Sequence, residues 1–354
     1  MARRIPGARP LVARLFAFAR GARELLREAA FWTVRYRRMR QVDLLLVAGS
    51  NQLSDYFGGP WGFPYSVWAW STAARLAGAR VAFLSVGAGP IRSATSRWLI
   101  RAALARAFYG SYRDEGSRDA VAAIGVPGPH RLAPDLAHGL RLSPAPSGSG
   151  ARQESPLVAI NPLPYFDPRY WAEKDAAVYQ RYVETMASFA ATLRKRGYGV
   201  RFVPTQLRAD PPVVADILRA MGAGSTGAAS PDPLSPAVAG LEDLVAQLSE
   251  ADFVVATRFH GALISQMLGK PTIGIVYRRS TRDLLVDAGQ GAYAIDIREM
   301  TAEGLMERLE ALERDRGAGA RIRARLEGHR EALAIQYATV LGGDSGSTPA
   351  SPPG

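Results

Sequence analysis

The apolar positions of this chain fall into two alternating kinds of run. Short, nearly continuous apolar blocks occur at residues 42–48, 80–86, 157–160, 199–203, 253–256, 272–276 and 292–297. A half-exposed strand would alternate apolar and polar positions, so unbroken blocks of this length read as buried strands of a parallel sheet. Between them lie segments with helical spacing, at 66–77, 94–109, 118–124, 176–196, 211–221, 242–249, 262–268 and 281–288, with two more helices within 301–341. Residues 111–117 add a short strand. Strand, loop and helix in alternation predict an α/β protein built on parallel, Rossmann-like sheets.

Two polar stretches divide this pattern. Residues 143–156 (SPAPSGSGARQESP) read as an interdomain linker, and residues 343–354 (GDSGSTPASPPG) as a disordered tail. The expected layout is a basic helical arm over 1–41, a Rossmann-like domain over 42–142 and a second over 157–342. Two such domains facing each other across a cleft make the GT-B-like plan, which 354 residues can fill.

Charge sharpens the picture at one end. The net charge is +12, and residues 1–40 hold eleven Arg against Glu24 and Glu28, a local sum of 11 − 2 = +9. Only +3 is left for the rest, so the basicity belongs to the arm and not to a nucleic-acid groove. Leu11, Leu15, Phe18, Leu25, Leu26, Ala29 and Trp32 recur at roughly helical spacing among those arginines. Two readings fit: a basic amphipathic helix on an anionic membrane surface, or a scaffold helix packed on the first domain. No nucleic-acid reader motif is present, and no partner of that kind is expected. The absence of cysteine excludes disulfides, thiolate metal sites and cysteine nucleophiles. With no apolar run of about 20 residues and no leader pattern, the expectation is a cytoplasmic protein, peripheral at the inner membrane face if the arm meets lipid.

The chemistry concentrates in residues 251–277, ADFVVATRFHGALISQMLGKPTIGIVY. Strand 253–256 runs into Thr257-Arg258-Phe259-His260-Gly261 and then a helix, and 272–276 reads as the next strand. Open α/β sheets bind ligands at the carboxyl ends of their strands, where helix N-termini attract anions. Of His130, His138, His260 and His329, only His260 follows a predicted strand and precedes glycine. An Arg-x-His at a helix start is also an ordinary structural element. In the first domain, Gly49-Ser50-Asn51 through Asp55 follows a strand but matches no phosphate-loop pattern. Residues 56–65 (YFGGPWGFPY) read as an irregular aromatic loop, either a sugar-stacking lid or a cover for the core. Arg113, Asp114, Glu115 and Asp135 lie near strand ends. They are ligand-binding candidates or, equally, an ion-pair cluster and a helix N-cap. No His, Asp or Glu spacing suits a metal, so no metal or cofactor is expected.

Five pieces in order carry a resemblance: DLLLVAGSNQLSD, SVGAGP, SYRDEGS, GV…APDLA and ATRFHGALISQMLGKPTIGIVY, over roughly 42–295. Together they resemble the polysaccharide pyruvyl transferase family. The resemblance implies an enzyme that moves a pyruvyl group from phosphoenolpyruvate to a sugar, free or lipid-linked, of a cell-wall or exopolysaccharide precursor, forming a cyclic ketal. It implies catalysis by His260 and donor binding by Arg258 and Gly261, with Arg278 and Arg279 at the next strand end. Gly49, Asn51, Asp55, Arg113, Asp114, Glu115 and Asp135 become acceptor-side candidates. The family's opening strand and glycine loop have no counterpart here, so the N-terminal domain is expected without its first strand. Two alternatives stay open: a GT-B glycosyltransferase with a nucleotide-sugar donor, and a non-catalytic scaffold of polysaccharide assembly.

Overall fold

The apolar runs form two sheets in which every strand pairing is parallel. The computed structural model describes residues 27–56, 58–142, 155–171, 173–222 and 238–342. The start of the arm, the linker to 154, the loop 223–237 and the tail from 343 lie outside the described residues.

The first sheet comprises β1 (Leu44–Ala48), β2 (Arg80–Val86), β3 (Tyr109–Tyr112) and β4 (Arg131–Leu132), in that spatial order. A helix α1 over 27–39, α2 (Phe63–Leu76), α3 (Ala94–Leu104) and α4 (Glu115–Ala123) accompany it. β2 carries the core, with Val81, Phe83 and Val86 fully buried against Ile100, Ala103 and Val121. β1 corrects an expectation. Its apolar run predicts a strand buried on both sides, but β1 is an edge strand and Leu46 is 39% exposed. No strand flanks β1 on its outer side among the described residues, so its apolar run meets solvent there. α3 also ends five residues earlier than the helical pattern, because Tyr109-Gly110-Ser111-Tyr112 joins the sheet beside β2. The aromatic stretch 56–65 is more regular than its composition predicts. Gly58 and Gly59, both at positive φ, turn the chain into a 3-10 turn (Gly59–Trp61), and Pro64 then occupies the first turn of α2. Proline is tolerated there because the first turn's N–H groups have no helical partner anyway.

The second sheet has order β6-β5-β7-β8-β9. Its strands are β5 (Leu157–Asn161), β6 (Gly199–Phe202), β7 (Phe253–Ala256), β8 (Thr272–Val276) and β9 (Ala294–Asp296). Its helices are α5 (Ala176–Lys195), α6 (Asp210–Ala220), α7 (Leu241–Glu250), α8 (Phe259–Met267), α9 (Arg279–Asp287), α10 (Ala302–Arg314) and α11 (Ala318–Leu341). Ile160, Met186, Phe189, Phe202, Ile217 and Ile273 form its fully buried centre. The order reverses between β5 and β7, which makes their carboxyl ends a topological switch point. The first sheet runs straight from β1 to β4 and has no reversal.

Two compact units result, one from residues up to Leu136 together with the chain from Ile335, the other Ala137–Ala334. The sequence places everything to 342 in the second domain. The last turns of α11 belong instead to the first unit, for a packing reason. Val340 is buried with Ala82, Leu84 and Tyr109. Gln336 accepts from Ser111 Oγ at 2.6 Å and Tyr109 Oη at 3.3 Å, and donates to Ser85 Oγ at 3.2 Å. No helix among the described residues is long and apolar enough to cross a membrane.

Candidate active site

α8 opens at the carboxyl end of β7, at the switch point. Arg258 is its N-cap residue in extended conformation, and the Arg258 side chain makes no capping bond. The helix begins three residues before the sequence pattern predicts, so His260 and Gly261 lie inside its first turn. His260 is exposed, its ring edge-on to Phe259 at 5.3 Å between centroids. Gly261 is sterically required. A Cβ there would stand 1.9 Å from Asn161 Oδ1 and 2.6 Å from Asn161 Cγ. Asn161, the last residue of β5, is fully buried and holds the neighbouring loop by donating to Val203 O at 2.7 Å and Thr205 Oγ1 at 3.3 Å. Its Oδ1 has no hydrogen-bond partner and faces Gly261. α8 therefore approaches β5 as closely as only glycine allows.

Arg258 points where the sequence does not predict. Its Nε donates to both oxygens of Asp210, at 2.8 and 3.0 Å, its Nη2 also pairs with Asp210, and Nη2 donates to Gln206 Oε1 at 2.8 Å. Asp210 is fully buried and also accepts from the backbone N–H of Thr205 at 2.9 Å and Gln206 at 2.7 Å. The guanidinium edge that would grip a carboxylate or phosphate is thus already on a carboxylate. Arg258 fixes the β6–α6 loop against α8. Below it, Tyr182 accepts from Leu163 N–H at 3.0 Å and bonds Thr257 Oγ1 at 2.9 Å, and burial pushes its hydroxyl up to about 12.

The next strand end repeats the geometry. Arg278 is the extended N-cap residue of α9, with its guanidinium 5.3 Å from the Tyr277 ring centroid. Arg279, the first helical residue, is two-thirds exposed and pairs with Asp283 at 3.4 Å. Tyr277 joins an aromatic group with Tyr165 and Trp171, at 6.2 and 6.1 Å, and Phe166 stacks on Trp171. All four rings stand on loops at the carboxyl ends of β5 and β8.

In the first unit the strand-end loops are tied to one another. Asp55 accepts from the backbone N–H of Arg92 and Ser93 at 2.9 and 2.8 Å. Burial works to raise its pKa, but the Ser93 and Arg92 bonds prevail and hold it below the usual carboxylate value. A Cβ on Gly49 would meet Ser85 O at 3.1 Å, and one on Gly89 would meet Ser54 Oγ at 2.8 Å and Asn51 Nδ2 at 3.3 Å. The Arg113 guanidinium lies against Gly87 and pairs with Asp114 at 3.4 Å and Asp135 at 3.3 Å. Asp114 caps α4 by accepting from Ser117 N–H at 2.7 Å. Glu115 is exposed in that first turn, where an acid suits the helix dipole. The structure thus brings Asn51, Asp55, Arg113, Asp114 and Asp135 to one end of the first sheet, with the last four in structural bonds.

A family model described as polysaccharide pyruvyl transferase matches residues 14–279, well over half of the chain. The chain belongs to the polysaccharide pyruvyl transferase family. It is accordingly a pyruvyltransferase of polysaccharide biosynthesis, acting on a saccharide acceptor. No curated protein matches the sequence. Among solved structures, it resembles the UDP-GlcNAc 2-epimerase from Neisseria meningitidis bound to UDP-GlcNAc, at 11% identity and TM-score 0.55, covering 88% of this chain and 81% of that one. The UDP-GlcNAc 2-epimerase from Methanocaldococcus jannaschii matches at 10% identity and TM-score 0.52, covering 79% and 74%. A trehalose-6-phosphate synthase matches at 9% identity and TM-score 0.51, covering 77% and 69%. At these identities the likeness is one of fold, and it is the GT-B-like fold of two Rossmann-like units.

For this family member, sequence reasoning missed Asp210, Gln206 and Asn161, and the ring cluster of Tyr165, Phe166 and Trp171. Asp210 had one local signal, an acid in the first turn of a helix ahead of Pro211 and Pro212. Nothing local ties it to Arg258, 48 residues away.

Proposed function

We propose that the donor of this pyruvyltransferase is phosphoenolpyruvate and that its acceptor is a sugar of a cell-wall or exopolysaccharide precursor. One observation carries the reading. Two helices, α8 and α9, open after the adjacent strands β7 and β8 from N-cap arginines whose side chains make no capping bond, with exposed His260 in one first turn and Arg278 and Arg279 starting the other. Phosphoenolpyruvate has two anionic groups, and helix N-termini with arginine beside them suit carboxylate and phosphate. Arg258 then acts as a positioning residue, because Asp210 occupies its fork. The loops after β1 to β4 take the acceptor side, with Gly49 and Asn51 on the first and Asp135 on the last.

The chemistry balances with His260 as the proton carrier. The methylene carbon takes a proton, and a sugar hydroxyl bonds to C2 and loses its own. The C2–O bond to phosphate breaks, and a second hydroxyl closes the ketal. Of the two hydroxyl protons, one ends on the new methyl group and one on the released phosphate. Each proton transfer suits an imidazole near neutral pH. The test is phosphate release from phosphoenolpyruvate with a panel of saccharide acceptors. H260N should lower kcat by about 10²–10⁴-fold. Turnover near wild type in H260N removes His260 from the mechanism. Thermal stabilisation by a nucleoside-diphosphate sugar and none by phosphoenolpyruvate removes the donor assignment.

A further inference from the structure

The first unit carries a surface that the transferase reading leaves unused. Trp61, at the end of the 3-10 turn, is 73% exposed; Trp98 on α3 is 59% exposed; Phe31 on α1 is 54% and Phe63 on α2 is 41% exposed. These rings are not scattered. Trp61 meets Tyr65 at 5.8 Å, Tyr65 meets Trp68 at 5.8 Å, and Trp68 meets both Trp98 at 5.8 Å and Trp32 at 5.6 Å. Arg35 joins α1 to the group. Its guanidinium lies 5.5 Å from Phe31, 5.9 Å from Trp32, 5.7 Å from Tyr65 and 5.8 Å from Trp70, and it pairs with Glu28 at 3.1 Å. The inner rings are thereby fixed, and Trp61, Trp98 and Phe31 stand outward on them, with exposed Phe63 two residues from Trp61.

The exposed charge on the helices of this face is mostly positive. Arg37, Arg38 and Arg40 are exposed at the end of α1, and Arg97 and Arg101 are exposed on α3 beside Trp98. α2 and α3 contain no acid, and residues 27–40 contain only Glu28, which is already bonded to Arg35 and Tyr65. Clustered exposed rings mark an interaction surface. Indole rings framed by arginines suit the headgroup level of an anionic bilayer, where Trp and Tyr concentrate and basic residues are attracted. The rings touch edge-on or tilted, with interplanar angles of 39° to 77°, and Val34 and Leu76 are exposed on the same helices. A nucleic-acid platform would instead offer open, parallel ring faces to bases.

We propose that this face of the first unit docks the protein on an anionic phospholipid surface, with Trp61, Trp98, Phe31 and Phe63 entering the headgroup layer and the arginines of α1 and α3 contacting lipid phosphates. The inference stands apart from the donor assignment, which concerns the second unit. The test is co-sedimentation of the full chain with phosphatidylglycerol–phosphatidylcholine vesicles and with phosphatidylcholine alone. Anionic vesicles should bind at least about tenfold more tightly, and binding should weaken with salt, as expected for arginines worth severalfold each near a charged surface. W61S/W98S should weaken binding about tenfold or more while its melting temperature stays at the wild-type value, since both rings are largely exposed. R37E/R38E/R40E should do the same. The proposal is overturned by no binding to anionic vesicles at low salt, by full binding of W61S/W98S, or by a dimer in sedimentation velocity that W61S/W98S converts to monomer. Tighter binding to a single-stranded oligonucleotide than to vesicles, lost in the same variant, would also overturn it.

Discussion

Replacing Arg258 with alanine should cost stability before it costs donor affinity. The perturbation removes both Nε bonds to a carboxylate with no exposed surface, and the bond to Gln206. Removing one partner of a buried pair costs roughly 3–5 kcal/mol, because a charge is left without compensation. Two features reduce that here. Asp210 keeps the backbone N–H groups of Thr205 and Gln206, and the Arg258 side chain is 20% exposed, so water can enter the vacated space. We expect a loss of about 2–3 kcal/mol. In a unit of this size, 1 kcal/mol shifts Tm by about 2–4 °C, so R258A should melt about 5–10 °C lower. Urea titration gives the free energy, and a double-mutant cycle with D210A isolates the pair, with an expected coupling above about 1.5 kcal/mol. If R258A melts with the wild type, or the coupling falls below about 0.5 kcal/mol, the pair is not structural and the arginine returns to the donor.

Two further predictions concern the same unit. G261A must push a methyl group into Asn161, so α8 shifts or Asn161 gives up its bonds to Val203 and Thr205; we expect a loss of about 3 kcal/mol in urea unfolding, and a variant as stable as wild type would refute the close approach. Asp287 should contribute an acid limb. Burial works to raise its pKa, but His329 at 2.7 Å and Arg325 hold the carboxyl well below its usual value. A depressed carboxylate stabilises the fold above its unfolded pKa of about 3.9, and that contribution fades as pH falls through the lower folded value. The stability gap between wild type and D287N should therefore shrink as pH falls below about 4; a gap unchanged between pH 5 and pH 3 would count against it.

Legibility in the sequence followed the range of the forces involved. β2, β7 and β8 keep the bounds that their apolar runs predict, because an unbroken apolar block has few other places to go. The helical pattern over 94–109 takes in Tyr109, because the partner that helps to hold it in the sheet, Gln336, lies more than 220 residues away. The apolar run of β1 predicts burial because such a block carries no information about which strands lie beside it. Likewise, Arg-x-His marked the right turn, but the fork of Arg258 was spoken for by a carboxylate that only the folded chain brings near. His260 and Gly261 were legible because strand, turn and glycine are local. The ring cluster after β5 was not, because 163–171 has no periodicity to read.

The end of α11 sets a timetable. The first unit's strands β2 and β3 are complete by Tyr112, yet Ser85, Ser111 and Tyr109 wait for Gln336, and Ala82 and Leu84 wait for Val340. About 200 residues separate Leu136 from the segment that finishes this core. At roughly 5–20 residues per second, a ribosome takes about 10–40 s to deliver it. The half made first is thus sealed last, and the second unit has its whole sequence in hand before the first one does.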